Sequence, residues 1–195
     1  MRIIPLFIIA TLAIAIGITF GLMGQSIEKS DPYSQMGGEF TLFSDEGEIN
    51  LSDFRGQVVP IYFGFTNCPD VCITSLNKLK AAMKRLKPSD AKQVQPLFIS
   101  IDSERDSPEI VSEYVKFFDS SMIGLSGDAN YIEDLAKRYF VIFEKMKNND
   151  SQLDYLIDHS SIIYIVGRDG KIKSLVHHSD DVEILLSALK DVLIL

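Results

Sequence analysis

Residues 58–65 read VVPIYFGF, a run of eight positions without a charged side chain. A strand with one face in water alternates apolar and polar residues, whereas a continuous apolar run is typical of a strand buried on both faces. Because Pro60 has no backbone N–H, we expect it near the start of this strand or at a bulge. The run therefore predicts the central strand of the fold.

Strands and helices alternate along the rest of the chain. Phe40–Phe43 and Ile49–Leu51 flank the polar stretch SDEGE and predict an N-terminal hairpin. Ser107 before Pro108, and Asp128, are predicted helix N-caps. The other predicted elements are strands at 94–102, 141–146, 161–166 and 171–177, and helices at 72–87, from 107 onward, at 128–140 and at 179–193. This order favours an α/β sandwich with a mixed central sheet.

The N-terminus predicts a membrane anchor. Residues 3–24 carry no charge and are long enough to cross a bilayer as one transmembrane helix. Arg2 precedes the run, and Glu28 is the first charged residue after it, so the positive-inside rule places residues 25–195 outside the cytosol. A cleaved signal peptide is the alternative, but its best cleavage site, Ala13–Ala15, lies inside the apolar run.

These features predict three regions: an anchor at 1–24, a polar linker at 25–36 and a globular domain at 37–195.

Beyond residue 24 the chain has 27 acidic and 18 basic side chains. This acidic balance excludes a nucleic-acid partner, whose phosphates require a basic surface.

The two cysteines of the chain, Cys68 and Cys72, lie where the predicted central strand ends and a helix begins. The carboxyl end of a strand in an open α/β sheet is where ligands and reactive groups collect, and a helix N-terminus stabilises a thiolate. Pro69 is expected in the first helical turn. A structural disulfide or two buried thiols is the alternative, although so short a loop gives little entropic stabilisation.

An imidazole would complete a metal site with the two thiols. Two sulfurs and one nitrogen suit copper, and thiolates favour Cu(I) in particular. His177 and His178 are adjacent at the end of a predicted strand and are expected to be exposed. His159 follows Asp158 and precedes a buried strand, so spacing alone allows either a ligand or a core histidine.

Four segments resemble, in order, those of the Sco/SenC family: GGEFTLFSDEGEINLSDFRGQ, YFGFTNCPDVC, ISIDSERDSPEIVSEYVKFF and DHSSIIYIVGRDGKI. Members of this family are membrane-anchored copper proteins with a thioredoxin-like fold that serve cytochrome c oxidase assembly. The resemblance implies that Cys68, Cys72 and His159 are copper ligands. The chain departs from the family pattern at Pro60, Asn67 and Ile73, none of which is an implied ligand.

The resemblance also implies partners and a location. The expected partner is the copper-bearing subunit of cytochrome c oxidase, which would receive copper or have the cysteines of its dinuclear site reduced. Other copper chaperones or thioredoxin-like reductants are further expected partners. In a bacterium the expected location is the inner membrane, with the domain facing the periplasm or extracytoplasmic side. In a eukaryote it is the mitochondrial inner membrane. Separately from the resemblance, Asp158 and Asp102 are candidates to orient the imidazole through its second nitrogen, and a role as a solvated loop or cap residue is the favoured alternative for both.

Two other functions remain compatible with the cysteine pair. A metal-independent thiol–disulfide oxidoreductase would use Cys68 and Cys72 as a redox-active pair, although such enzymes usually have two residues between the cysteines rather than three. A peroxidase of the peroxiredoxin kind would carry Thr three residues before its reactive Cys, where this chain has Phe65. A metallochaperone without enzymatic turnover is the favoured interpretation.

Overall fold

The computed structural model describes residues 32–147 and 155–195. Its strands are β1 (Thr41–Ser44), β2 (Gly47–Asn50), β3 (Val59–Gly64), β4 (Leu97–Ser100), β5 (Ile123–Leu125), β6 (Phe143–Lys147), β7 (Tyr155–His159), β8 (Ile162–Val166) and β9 (Ile172–His177). Its helices are α1 (Val71–Arg85), α2 (Pro88–Ala91), α3 (Pro108–Phe118), α4 (Ala129–Arg138) and α5 (Val182–Leu193), with a 3₁₀ turn at Leu51–Phe54.

The central sheet has five strands in the order β5-β4-β3-β8-β9. β3 runs parallel to β4 and antiparallel to β8, so the sheet is mixed. Every residue of β3 is buried, which confirms the prediction from the apolar run. Pro60 is the second residue of β3, near the strand's start as expected. Since α1 packs against α5, and α3 against β5 and β1, helices complete the α/β core.

Two hairpins lie outside the central sheet. β1 and β2 pair antiparallel at the place predicted for the N-terminal hairpin. β6 and β7 form the second hairpin, in which Phe143 pairs with His159 and Lys147 with Tyr155. The sequence predicted a strand near β6 but missed β7, because most of the hairpin's side chains reach water and supply little hydrophobic periodicity. It also missed β5, which is only three residues long.

Both predicted helix N-caps are confirmed. The Ser107 hydroxyl accepts from the Ile110 N–H, and the Asp128 carboxylate accepts from Asn130 and Tyr131. The prediction that Pro69 lies in the first turn of α1 was wrong, because α1 begins at Val71 with Asp70 as its N-cap.

The predicted anchor at 3–24 and most of the linker at 25–36 lie outside the described residues. Among the helices of the described ranges, none has the length and apolar character needed to cross a bilayer.

A buried carboxylate ties the loop after β3 to the loop after β4. Asp106 is fully buried and accepts three hydrogen bonds: from the Thr66 N–H at 2.9 Å, the Thr66 hydroxyl at 2.6 Å and the Ser100 hydroxyl at 2.6 Å. Thr66 lies two residues before Cys68, so this carboxylate fixes the start of the cysteine loop. Sequence reasoning did not single out Asp106.

We expect Asp106→Ala to lower the free energy of unfolding by about 3 kcal/mol, because it leaves the buried Ser100 hydroxyl and the part-buried Thr66 N–H without their acceptor. Asp119→Ala is the control: Asp119 accepts from the N–H and hydroxyl of Ser121 in an exposed turn, and its loss should cost about 1 kcal/mol or less. Urea unfolding of the two variants measures the difference. Equal losses would show that Asp106 does not anchor the cysteine loop.

Candidate metal centre

The two thiols meet at the junction between β3 and α1. The Cys68 N–H bonds to the Phe65 carbonyl in a turn, and Cys72 is the second residue of α1. The Cys72 N–H points at the Cys68 sulfur at 3.5 Å. An unpaired N–H of a helix N-terminus, aimed at a sulfur, stabilises its thiolate form. Both cysteines are free thiols in this structure.

His159, the last residue of β7, brings an imidazole to the same point. Its Nε2 lies 3.5 Å from the Cys72 sulfur, and the two sulfurs and a His159 ring nitrogen all lie within 4.8 Å of one another. Nδ1 is 3.2 Å from the Ser160 carbonyl oxygen. Because a carbonyl oxygen only accepts, this contact requires a proton on Nδ1 and leaves the Nε2 lone pair facing the sulfurs.

Aromatic rings hold the imidazole in place. The His159 ring packs edge-on against Tyr62, with ring centroids 6.2 Å apart, and against Phe65 at 5.9 Å. The Tyr62 hydroxyl also lies 3.8 Å from the Cys72 sulfur. Burial and the neighbouring Cys72 raise the pKa of Tyr62, so its phenol keeps its proton.

The two thiols differ in acidity. A hydrogen bond from Cys72 lowers the pKa of Cys68, against the opposing effect of burial. The same hydrogen bond to Cys68, together with burial, raises the pKa of Cys72. Cys68 is therefore the more acidic thiol of the pair.

A cleft of about 310 Å³ opens onto the site. Its lining is mostly apolar and includes Cys68 and His159, two of the three clustered residues. The full lining is Phe65, Cys68, Pro69, Asp70, Val71, Met146, Leu156, Ile157, Asp158, His159 and Ser161. Cys72 has no exposed surface and does not line the cleft. A molecule approaching through this cleft would therefore reach Cys68 and His159 before Cys72.

The two carboxylates expected beside the imidazole lie elsewhere. Asp102 is buried, accepts from the Tyr155 hydroxyl at 2.6 Å and forms an ion pair with Arg105. Asp158 is exposed and pairs in register with Glu144 on β6. The structure thus gives the second nitrogen of His159 the Ser160 carbonyl as its partner, in place of a carboxylate. His177 and His178 are exposed, as expected.

Tyr155, at the start of β7, holds the β6–β7 hairpin against the loop after β4. Two cations contact its ring: the Arg105 guanidinium carbon lies 3.7 Å and the Lys145 nitrogen 4.7 Å from the ring centroid. Arg105 also donates to the Tyr155 carbonyl at 3.0 Å. These contacts give Asp102 a structural role: it helps to hold the hairpin whose Met146 and Leu156 line the cleft. Sequence analysis missed this role of Tyr155, and the feature that could have indicated it is an aromatic residue four positions before His159.

The family model described as SCO1/SenC matches residues 28–194. The chain belongs to the SCO1/SenC family.

Relatives within the family match over most of their length. The SCO2-like protein of Rickettsia prowazekii is 35% identical over 180 residues, which cover 87% of each chain. The structure of Arabidopsis thaliana ScoI with copper bound is 37% identical, with a TM-score of 0.74 over 80% of this chain and 97% of that one. Bradyrhizobium japonicum ScoI with copper bound is 35% identical, with a TM-score of 0.72 over 80% and 99%. These similarities confirm the expected thioredoxin-like fold with a mixed sheet.

Gly64, the last residue of β3, makes room for the buried thiol of this SCO1/SenC domain. A Cβ at this position would lie 2.9 Å from the Cys72 sulfur, 2.9 Å from the Phe98 ring and 3.0 Å from the Tyr62 ring. Contacts this short force neighbours to move. Sequence analysis missed this role, although a glycine inside a buried strand indicates a close approach.

We expect Gly64→Ala to lower the free energy of unfolding by about 2–3 kcal/mol, because two aromatic rings and a buried sulfur must shift. Gly127→Ala is the control. Its Cβ would make one short contact, at 2.7 Å, and that contact is with the tip of the flexible Leu42 side chain. Urea unfolding measures both variants.

A double-mutant cycle isolates the part of the Gly64→Ala loss of unfolding free energy that comes from the clash with the Cys72 sulfur. Cys72→Ala should cost less in the Gly64→Ala background than in the wild type, because the first change removes one of the clashing groups. Additive losses would contradict the proposed close approach of Gly64 and the Cys72 sulfur.

Proposed function

We propose that this protein is a copper chaperone that binds one copper ion through Cys68, Cys72 and His159 and delivers it to the dinuclear copper site of cytochrome c oxidase. The observation that carries the proposal is the convergence of two thiols and one imidazole nitrogen within 4.8 Å. In the described ranges, these residues are the cluster of possible metal ligands. The ScoI proteins of Arabidopsis and Bradyrhizobium, which this chain resembles, have copper-bound structures.

The donor set favours copper over harder cations. Thiolates are soft ligands that select Cu(I), and imidazole accepts either oxidation state, whereas calcium and magnesium require oxygen ligands. Two thiolates and a neutral imidazole give a site of net charge −1 with Cu(I) and zero with Cu(II). Neither oxidation state leaves a large uncompensated charge in the partly buried site.

Delivery follows from the low coordination number and from the position of the cleft. Three protein ligands leave copper able to accept a further donor from a receiving protein. Cys68 and His159 line the cleft, so an incoming ligand reaches the metal from their side, while buried Cys72 retains it. The copper-bearing subunit of the oxidase is the proposed receiver. Other copper chaperones or thioredoxin-like reductants are proposed to load or reduce the site.

The same cysteines support a second candidate function, reduction of the oxidase's own cysteines as a thiol–disulfide oxidoreductase. The observation that favours it is the asymmetry of the pair: the pKa of Cys68 is lowered and this thiol lines the cleft, as in an attacking thiolate. A Cys68–Cys72 disulfide has no thiolate to offer copper. Oxidation would therefore block copper loading, and reduction would permit it.

Membrane attachment is part of the proposal and rests on the sequence of residues 3–24. An uncharged run of this length after Arg2 would serve as an uncleaved anchor, with the linker at 25–36 carrying the domain. The proposed location is the inner membrane, with the domain on the extracytoplasmic side, where copper is inserted into the oxidase.

His159→Ala should abolish stable Cu(II) binding, because it removes the nitrogen donor, while Cys68 and Cys72 still form a disulfide. His177→Ala is the matched control, since its imidazole is exposed on β9. The measurement is a copper titration of the full chain in detergent, with free thiols counted at each point and both oxidation states tested.

The oxidised protein supplies the complementary test. A full chain with its Cys68–Cys72 disulfide formed should take up no copper at the site, and bound copper should protect the thiols from oxidation. Equal copper uptake by the disulfide form, or unchanged Cu(I) and Cu(II) binding by His159→Ala, would refute the ligand assignment.

Protease added to spheroplasts that express the full chain should degrade the domain at 37–195 and leave the anchor in the membrane. Immunoblotting with tags at the two ends of the chain follows both parts, and an intact cytosolic marker shows that the inner membrane is closed. Protection of the domain, or release of a soluble mature form, would contradict the proposed topology.

A further inference from the structure

We propose that Tyr62 is a positioning residue of the copper site, whose hydroxyl donates a hydrogen bond to the Cys72 sulfur and so weakens the donation of that sulfur to copper. The inference rests on the proposed copper-binding function. It assigns a task to a side chain that is not itself a ligand.

The geometry places one phenol against two of the three proposed ligands. Tyr62 lies on β3 and is 1% exposed, with its hydroxyl 3.8 Å from the Cys72 sulfur. Its ring meets the His159 ring edge-on, at an interplanar angle of 71°. Gly64 permits this approach, since a Cβ there would contact both the Tyr62 ring and the Cys72 sulfur. Tyr62 therefore links the helix that carries Cys72 to the strand that carries His159.

The direction of the hydrogen bond follows from the chemistry of the two groups. A thiolate that binds copper has no proton to give, so the phenol must be the donor. The Ser75 and Ser161 hydroxyls lie beside the phenol as well, and the hydrogen bond that the structure gives the Tyr62 hydroxyl is the one to the Cys72 sulfur. The sulfur of Cys72 is fully buried, so bulk water does not compete for it.

A hydrogen bond to a metal-bound thiolate changes the metal's preference for an oxidation state. It draws electron density from the sulfur, and a less electron-rich sulfur stabilises Cu(II) less than it stabilises Cu(I). Tyr62 would thereby bias the site towards Cu(I). The same withdrawal lowers the energy of the sulfur orbitals and moves the sulfur-to-Cu(II) charge-transfer band to shorter wavelength.

The test compares Tyr62→Phe with Tyr164→Phe in the full chain in detergent. Tyr164 is also a fully buried tyrosine, its hydroxyl has no hydrogen-bond partner in the described part of the chain, and its ring packs against Phe63 and Tyr139. Each substitution removes one buried hydroxyl and keeps the ring, so the pair separates an effect at Cys72 from the loss of a tyrosine.

In Tyr62→Phe the charge-transfer band should move to longer wavelength, and the ratio of the Cu(II) to the Cu(I) dissociation constant should fall about five-fold, the equivalent of one hydrogen bond. Tyr164→Phe should leave the band and the ratio at their wild-type values. A Tyr62→Phe protein indistinguishable from Tyr164→Phe would overturn the inference while leaving copper binding intact. A wild-type protein without any sulfur-to-copper band would overturn the proposed function, and the inference with it.

A second substitution covers the case in which Tyr62→Phe does not fold. A ring-fluorinated tyrosine at position 62 is a more acidic phenol and a stronger donor, and it preserves the shape of the side chain. It should move the charge-transfer band to shorter wavelength, opposite to the phenylalanine variant. An unshifted band in a folded, copper-loaded protein would overturn the inference.

Discussion

Burial of β3 on both faces is the constraint on which the rest of the structure depends. All six of its residues are buried, so it needs a paired strand along each edge and helices over the sheet. The order β5-β4-β3-β8-β9 supplies the two edges, and α1, α3 and α5 supply the packing. Because the strand is fixed along its whole length, the residues that follow Gly64 start from a rigid point. Asp106 then fixes Thr66, and the cysteine loop begins in a defined position.

The three clustered residues differ in their access to the cleft, and this is the division that matters for the site. Cys72 is fully buried beside Tyr62 and Gly64, while Cys68 and His159 face the cleft. The pKa directions agree with this division, since the thiol nearer the cleft is the more acidic. A carrier that must retain a metal ion and later release it needs both properties in one site. A fully buried ligand set would hold the ion but hinder ligand exchange.

The β6–β7 hairpin brings a group from the distant end of the chain to the thiols. It lies outside the central sheet, and Tyr155 fastens it to the loop after β4 through Asp102 and Arg105. Asp102 belongs to one of the four segments that resemble the family, yet its contacts are with Tyr155 and Arg105 and not with the imidazole. The Ser160 carbonyl orients the imidazole instead, through the backbone next to His159.

Local patterns in the sequence determined the elements around the thiols. The apolar run at 58–65, the caps at Ser107 and Asp128 and the cysteine pair at the strand–helix junction each depend on neighbouring residues, so they could be predicted without knowing the fold. The family followed from four such segments in order. The local pattern did not fix the boundary of α1, because Pro69 fits either the first turn of a helix or the residue before its cap.

The meeting of groups far apart along the chain was decided only by the tertiary structure. Spacing could not tell whether His159 approaches Cys72, because 87 residues separate them and their contact depends on how β7 leaves the sheet. The roles of Gly64, Tyr62, Asp106 and Tyr155 were missed for the same reason. Each acts through a contact across the fold, either a close approach or a hydrogen bond to a distant residue. Hydrophobic periodicity does not reveal such contacts.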